Sequence, residues 1–421
     1  MSFRRRALFY AALTANAIRP LPGFRAGVPS FFAGWITGEM APHWLAITTA
    51  DAATHLTAKR RDPVALALAG ATAVGLGYLI NQARRDQQRA EDALSEALGE
   101  DYQDQLDELP TPAELATPWR SLVNPFRTFR KPPVPIRVER DIAFGEAGRR
   151  NFLDIYRPAA EVENAPVLLQ VHGGAWILGK KEEQGVPLMQ HLAAKGWICV
   201  AINYRLSPRD SWPAQAVDVK KAIHWIRENI AAYGGDPDYI AITGGSAGGH
   251  LTALTALTPN TPEWQPGFED ADTSVQLAVP HYGVYDFAGS TGTKSSTQMR
   301  DLFLAKWVMK TTWEEDPQVY QDASPILRIT PDAPDFFVIH GAHDTLVPVD
   351  QARQFVARLR EVSKRSVVYA ELPGAQHAFD VFPSIRSAHI VRAIDRYLHW
   401  HWNAYRRERG MVADRTTHPT T

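Results

Sequence analysis

From Ile136 onward the chain alternates short apolar runs with amphipathic stretches. "IRVERDIAF" and "FLDIYRP" read as an early hairpin. "PVLLQVHGG" and "WICVAINYR" are apolar at consecutive positions, the pattern of strands buried on both faces. In "AVDVKKAIHWIRENIAAY", Val219, Ile223, Ile226 and Ile230 fall at steps of four, three and four. That spacing predicts a helix with one apolar face, ended by "GGDP". "YIAIT" predicts a strand and "HLTALTALT" the helix that leaves it. "VQLAVPHYG", "FFVIHG" and "SVVYAELPG" predict three more strands. "SIRSAHIVRAIDRYLHWHW" predicts a closing helix with Val391, Ile394 and Leu398 on one face. No internal repeat is present. Repeated strand–helix units imply an α/β fold, a mostly parallel central sheet with helices on both faces.

The first 90 residues follow another pattern. "MSFRRRALFYAALTANAI" has a basic start, an apolar run from Ala7 to Leu13 and an Ala-x-Ala at Ala15–Ala17. That is a signal-peptide shape at the short limit. Val28–Ala50 is aromatic and apolar, but Glu39 and Pro42 argue against a simple span. "VALALAGATAVGLGYLIN", Val64–Asn81, is uncharged and close to the length that crosses a bilayer. Lys59, Arg60 and Arg61 precede it and Arg84 and Arg85 follow, so charge leaves the orientation open. A buried helix of an accessory layer is the other reading. Gln87–Leu109 reads as a solvated, charged helix, and a proline-rich stretch to Ile136 as a linker. The expected organisation is a helical, membrane-associated segment over 1–90 and a charged helix with linker over 91–135, with the domain boundary near Pro133. An α/β domain over 136–407 and a polar tail over 408–421 follow.

Composition narrows this further. The 421 residues suffice for one large α/β domain plus an extra segment. A net charge of -1 gives no electrostatic case for nucleic acid. Twelve tryptophans suggest large apolar surfaces or a lipophilic pocket. The one cysteine, Cys199, lies in a buried-strand pattern and excludes an internal disulfide framework.

Chemistry is expected at the carboxyl ends of the parallel strands. "GGSAG", Gly244–Gly248, fits G-x-S-x-G between a strand and a helix. A sharp turn there needs small neighbours and presents the hydroxyl of Ser246. A phosphate loop would end in Lys-Ser/Thr, whereas this run ends Gly249–His250. "HGGAW", His172–Trp176, places backbone amides where an oxyanion needs donors. Gly173, Gly174 and Ala247 are the expected donors, with Ala175 a further one. Asp344 follows "FFVIHG" and can orient an imidazole, with Asp350 and Asp380 as rivals. His377 in "GAQHAFD" follows the last strand and can act as base, then acid. His172 and His250 read as packing or loop-orienting groups, and His340 and His343 as shaping the acid loop.

Residues Arg137–Leu398 resemble α/β-hydrolases of the esterase/lipase class, and most closely the carboxylesterases related to hormone-sensitive lipase. The likeness rests on HGGAW, GGSAGG, Asp344 and His377 in that order, with "LDIYRP", "NYRLSP" and "HYGVYD" as framework segments. It implies an α/β-hydrolase fold and ester hydrolysis through Ser246, His377 and Asp344, with an acyl-enzyme and no metal or organic cofactor. The expected partner is a small acyl ester of short to medium chain. The family's loop usually reads HGGG, and Ala175 in the fourth position resembles a neighbouring branch of kynurenine formamidases and prenylcysteine methylesterases. An amidase or formamidase, or a methylesterase of that branch, is therefore an alternative, and a membrane-tethered binding protein on a hydrolase fold another. The N-terminal part resembles that of bacterial membrane-associated carboxylesterases, which implies contact with membrane lipid; the oligomeric state stays open. Phe287–Ala323 reads as one helix plus a loop, either a lid over an acyl pocket or an ordinary covering helix. Ala175, Trp176 and Trp307 are the expected substrate contacts.

Overall fold

The consecutive apolar runs form strands buried on both faces in the computed structural model, which describes residues 1–57, 61–109, 111–117, 119–130 and 135–411. The domain boundary expected at Pro133, the flanking cations Lys59 and Arg60, and the tail beyond 411 lie outside the described residues. The strands are β1 (Ile136–Ala143), β2 (Phe152–Pro158), β3 (Ala165–Val171), β4 (Ile198–Ile202), β5 (Gly235–Gly245), β6 (Leu277–His281), β7 (Asp335–Gly341) and β8 (Val367–Leu372). They make one sheet in the order β1-β2-β4-β3-β5-β6-β7-β8. β1 and β2 pair antiparallel, as the hairpin reading expects, and β2 pairs antiparallel with β4. All remaining pairs are parallel. Every residue of β3, β4, β5's second half and β7 is buried, because helices cover both faces. The loops leaving β3, β5, β7 and β8 therefore collect at one edge, and they carry HGGAW, Ser246, Asp344 and His377.

Four helices precede the sheet: α1 (Phe3–Ile18), α2 (Phe24–Glu39), α3 (Ala41–Leu56) and α4 (Pro63–Leu98). α1 and α3 flank the first half of α4. Small side chains make the contacts, with Ala7 against Ala65 and Ala69, and Ala17 and Ala41 against Leu76 and Leu79. Gly75 lets α1 close in, since a Cβ there would lie 2.8 Å from Thr14.

The apolar stretch and the charged stretch of the sequence are one continuous helix. Asp62 caps its start through the Ala65 amide at 3.1 Å, and Gly99 at φ 100° ends it. Its charged second half is not a free solvated helix. Ala83, Asp86, Ala90, Ala93 and Leu94 recur at three- and four-residue steps and are buried. That face packs on β8 and on the closing helix Ile385–Glu408. Arg386 of the closing helix is itself buried, and its guanidinium joins Asp86 of α4 at 2.7 Å and Glu39 of α2. Ser384 donates to the same Glu39 at 2.6 Å. These buried charges tie α2 and α4 to the sheet domain.

Candidate active site

The turn at Ser246 explains the small residues around it. β5 runs straight into the helix Ala247–Leu257, and the single residue between them takes φ 60° and ψ -121°. Holding a serine there costs about 1–3 kcal/mol, which the surrounding packing must offset. The packing leaves no room for side chains. A Cβ on Gly244 would sit 2.5 Å from the Val171 carbonyl oxygen, and one on Gly248 2.1 Å from the same atom. The Ser246 amide donates to the His281 carbonyl at 3.0 Å, which locks the turn against β6.

His377 lies on the loop after β8. Its Nδ1 donates to Asp344 Oδ2 at 2.6 Å, and both residues are buried. The other carboxylate oxygen accepts the amides of Leu346 at 2.9 Å and Val347 at 2.8 Å. His340 Nε2 donates to the Val347 carbonyl at 2.8 Å and lies 3.3 Å from Asp344 Oδ2. Burial would raise the Asp344 pKa, but His377 and His340 beside it bring it down to about 2. The ionised carboxylate fixes the proton of His377 on Nδ1, so Nε2 is left as the proton acceptor. Ser246 and His377 line one cavity of about 560 Å³. Of the rival acids, Asp350 pairs with Arg353 at the surface. Asp380 instead accepts from His281 Nδ1 at 2.6 Å and from the Tyr282 hydroxyl. The Tyr282 ring in turn packs 4.6 Å from the ring of His377. This second Asp–His pair was not found from the sequence, whose one signal for it is the "HYGVYD" segment closing β6.

The HGGAW loop corrects one expectation. The Gly173 amide donates to Gln184 Oε1 at 2.6 Å and is not a free oxyanion donor. The loop next turns sharply, with Gly174 at φ 118°, Ala175 at 52° and Trp176 at 60°. It passes close to the serine, since a Cβ on Gly173 would lie 3.1 Å from Ser246 Cβ. Ala175 lines the same cavity as Ser246, and Ala247 follows the serine directly. The two nearby histidines are held neutral. Burial lowers the His172 pKa to about 4, and its Nδ1 donates to the Gly173 carbonyl at 2.7 Å. Burial lowers the His250 pKa to about 3, and His250 links the Trp176 indole at 3.2 Å to the Ala323 carbonyl at 2.8 Å.

Ala175 and Trp176 line the cavity, and so do Met299 and Phe303 of the 287–323 segment. Trp307 does not. It is 39% exposed, with Lys306 and Lys310 over its ring. The expected single helix is a short α-helix, Lys294–Met299, continued by π-helical turns over Arg300–Met309.

The remaining wall comes from α2, which the sequence did not place here. Gly23, Phe24 and Val28 line the cavity. Phe31 sets its ring edge-on to His377 at 5.9 Å. Trp35 Nε1 donates to the Ala378 carbonyl at 2.8 Å, and Thr345 Oγ1 donates to the Gly27 carbonyl at 2.8 Å. Gly27 and Gly34 allow this approach; a Cβ on Gly27 would lie 2.5 Å from the Thr345 carbonyl oxygen.

The sheet order, the strained serine turn and the loops gathered over it define an α/β-hydrolase. Comparison with known proteins gives the particular family. The chain is 46% identical over 408 residues to the probable carboxylic ester hydrolase LipM of Mycobacterium tuberculosis, covering 92% of this chain and 90% of that protein. It is 51% identical over 260 residues to esterase LipQ of the same organism, covering 61% of each chain. The family model described as BD-FAE matches residues 153–359. Among solved structures, the thermophilic esterase Est2 of Thermogutta terrifontis superposes with a TM-score of 0.52 at 23% identity, covering 68% of this chain and 96% of that one. The chain belongs to the α/β-hydrolase carboxylic ester hydrolases related to hormone-sensitive lipase. It is an enzyme of ester hydrolysis.

Proposed function

We propose that Ser246 is the nucleophile, His377 its base and Asp344 the orienting acid. The observation that carries this reading is the 2.6 Å His377–Asp344 pair, with Ser246 and His377 on the wall of one cavity. Ser246 Oγ attacks the ester carbonyl and passes its proton to His377 Nε2. The amides of Gly174, Ala175 and Ala247 hold the oxyanion, each worth roughly 3 kcal/mol of barrier in sites of this kind. His377 protonates the leaving alcohol and then activates the water that frees the acid from the acyl-enzyme.

The cavity suits short- to medium-chain acyl groups, since Val28, Trp176, Val284, Met299, Phe303 and Leu346 give it apolar walls. The N-terminal helices are the membrane-associated part of the molecule. Among the described residues, α4 is the one helix long and apolar enough to cross a membrane by length and composition, and 28% of its most apolar window is buried in the protein. The test of the substrate reading is a p-nitrophenyl ester series from acetate to palmitate, with an N-formyl arylamine alongside. An optimum at four to eight carbons over a negligible amidase rate supports it. A preference for the arylamide, or a flat profile, contradicts it.

A further inference from the structure

We infer that the outer ridge of α2 docks on an anionic lipid bilayer, and that the cavity takes its substrate from that surface. The second half rests on the ester-hydrolase reading; the first does not.

α2 has two apolar faces. Its inner face, with Gly27, Phe31, Gly34 and Trp35, meets the loops of Thr345 and His377. On its outer face Phe24, Val28, Phe32 and Ile36 follow one another at four-residue steps, and all are exposed, by 42%, 50%, 53% and 38%. Four-residue steps nearly close a turn of 3.6, so the four side chains form one ridge. A continuous exposed apolar ridge marks an interaction surface. Phe24 and Val28 also line the substrate cavity, so the ridge is the rim of its mouth.

Three further observations name the occupant. Among the described residues, thirteen of the twenty-two exposed large hydrophobic side chains lie within the first 78 residues. Of the five arginines in the first 50 residues, Arg4 and Arg6 pair with Asp62 and Asp51, and the one carboxylate of that stretch is Glu39. Glu39 is buried against Arg386, and Arg19 and Arg25 are exposed on either side of the turn that leads into α2. An apolar ridge edged by cations fits an anionic lipid surface. A second copy of the chain would bring like charges together at this face. At 16 residues, about 24 Å long, α2 is too short to span a hydrocarbon core of roughly 30 Å. Its inner face is also committed to the catalytic loops, so it lies along the surface.

Cys199 is buried, so a cysteine placed on the ridge takes an environment-sensitive label selectively. Phe32→Cys and Ile36→Cys report on the ridge. Lys364→Cys reports on the far side, at the turn before β8. With vesicles of phosphatidylglycerol and phosphatidylcholine, labels at 32 and 36 should brighten at least threefold and be quenched by nitroxides on the acyl chains. The label at 364 should do neither. The double variant F32S/I36S, at positions outside the cavity lining, should keep its turnover of a soluble ester within twofold. It should lose at least tenfold on an ester embedded in the vesicle.

Labels at 32 and 36 that stay in water while the chain sediments with vesicles would overturn the docking. So would shielding that appears without vesicles and grows with protein concentration, which would mark a second copy. Equal rates of wild type and double variant on the embedded ester would overturn the loading route. Insertion of the labels by a protein that hydrolyses neither ester would support the docking and count against the hydrolase reading alone.

Discussion

The indole nitrogen of Trp35 donates to the carbonyl of Ala378 at 2.8 Å, one residue beyond His377 and 343 residues away along the chain. The N-terminal segment is thus part of the wall around His377 and its cavity. Replacing Trp35 with Phe removes one hydrogen bond, worth about 1 kcal/mol. The expected outcome is a fall in kcat/KM of roughly three- to tenfold on a soluble ester, where no membrane is involved. An unchanged rate would mean that α2 does not help to set the His377 loop.

The buried charges that hold α2 in place give a stability prediction. Glu39→Gln leaves Arg386 buried beside Asp86 with one carboxylate fewer. Losing one partner of a buried ion pair costs about 3–5 kcal/mol. Urea unfolding should show a loss near the lower figure, since Asp86 stays and the amide can still bond. Activity on a soluble ester should fall in parallel as α2 loosens.

Asp344 contributes stability with a defined pH window. Its folded pKa of about 2 lies below the ordinary carboxylate value, so the unfolded chain binds the proton more readily. The contribution is complete above about pH 4 and is lost as pH falls through about 2. A shift of this size corresponds to about 2 kcal/mol. Asp344→Asn should remove that part of the pH dependence between about pH 4 and 2 in urea titrations. It should also lower kcat by up to roughly 10⁴, the loss seen when the orienting acid of such a triad becomes an amide.

The two amide positions of the HGGAW loop should behave differently. Gln184→Met leaves the Gly173 amide without its 2.6 Å acceptor. It should cost about 1–3 kcal/mol of stability, read by thermal or urea unfolding. Gly174→Ala forces a side chain onto a φ of 118° and within 2.1 Å of the Leu178 carbonyl oxygen. The backbone must move there, and kcat should fall by roughly 10²–10³, the cost of a displaced oxyanion donor.

Acyl selectivity should follow the cavity wall. Phe303→Trp and Met299→Trp fill space that the chain would occupy and should shift the optimum toward acetate. Trp307→Ala should leave the chain-length profile unchanged, because its ring sits under two lysines outside the cavity.

The strands were legible because a strand buried on both faces must be apolar at nearly every position, as in β3 and β7. The turn at Ser246 was legible because close backbone and ring contacts leave no room for a side chain at Gly244, Gly245, Gly248 and Gly249, and that signal is local in sequence. The Gly173–Gln184 bond was not, because a glutamine eleven residues on gives no periodic or spacing signal. The role of α2 was hidden for a stronger reason. Its outward and inward faces are both apolar, so hydrophobic periodicity could not say which face meets protein. The charged half of α4 misled in the opposite way. Its alanines at 83, 90 and 93 are too small to mark a buried stripe by hydropathy, yet they let the helix lie close on β8. Trp307 was misplaced because π-helical winding breaks the four-residue spacing that groups it with Met299 and Phe303.

The central claim is that Ser246 is an activated nucleophile. The most direct test is labelling of the full-length protein with a fluorophosphonate, followed by peptide mapping, with Ser246→Ala as the control. The account predicts stoichiometric modification at Ser246 and none in the variant. A well-folded wild-type protein that takes no label, or takes it at another residue, would contradict it.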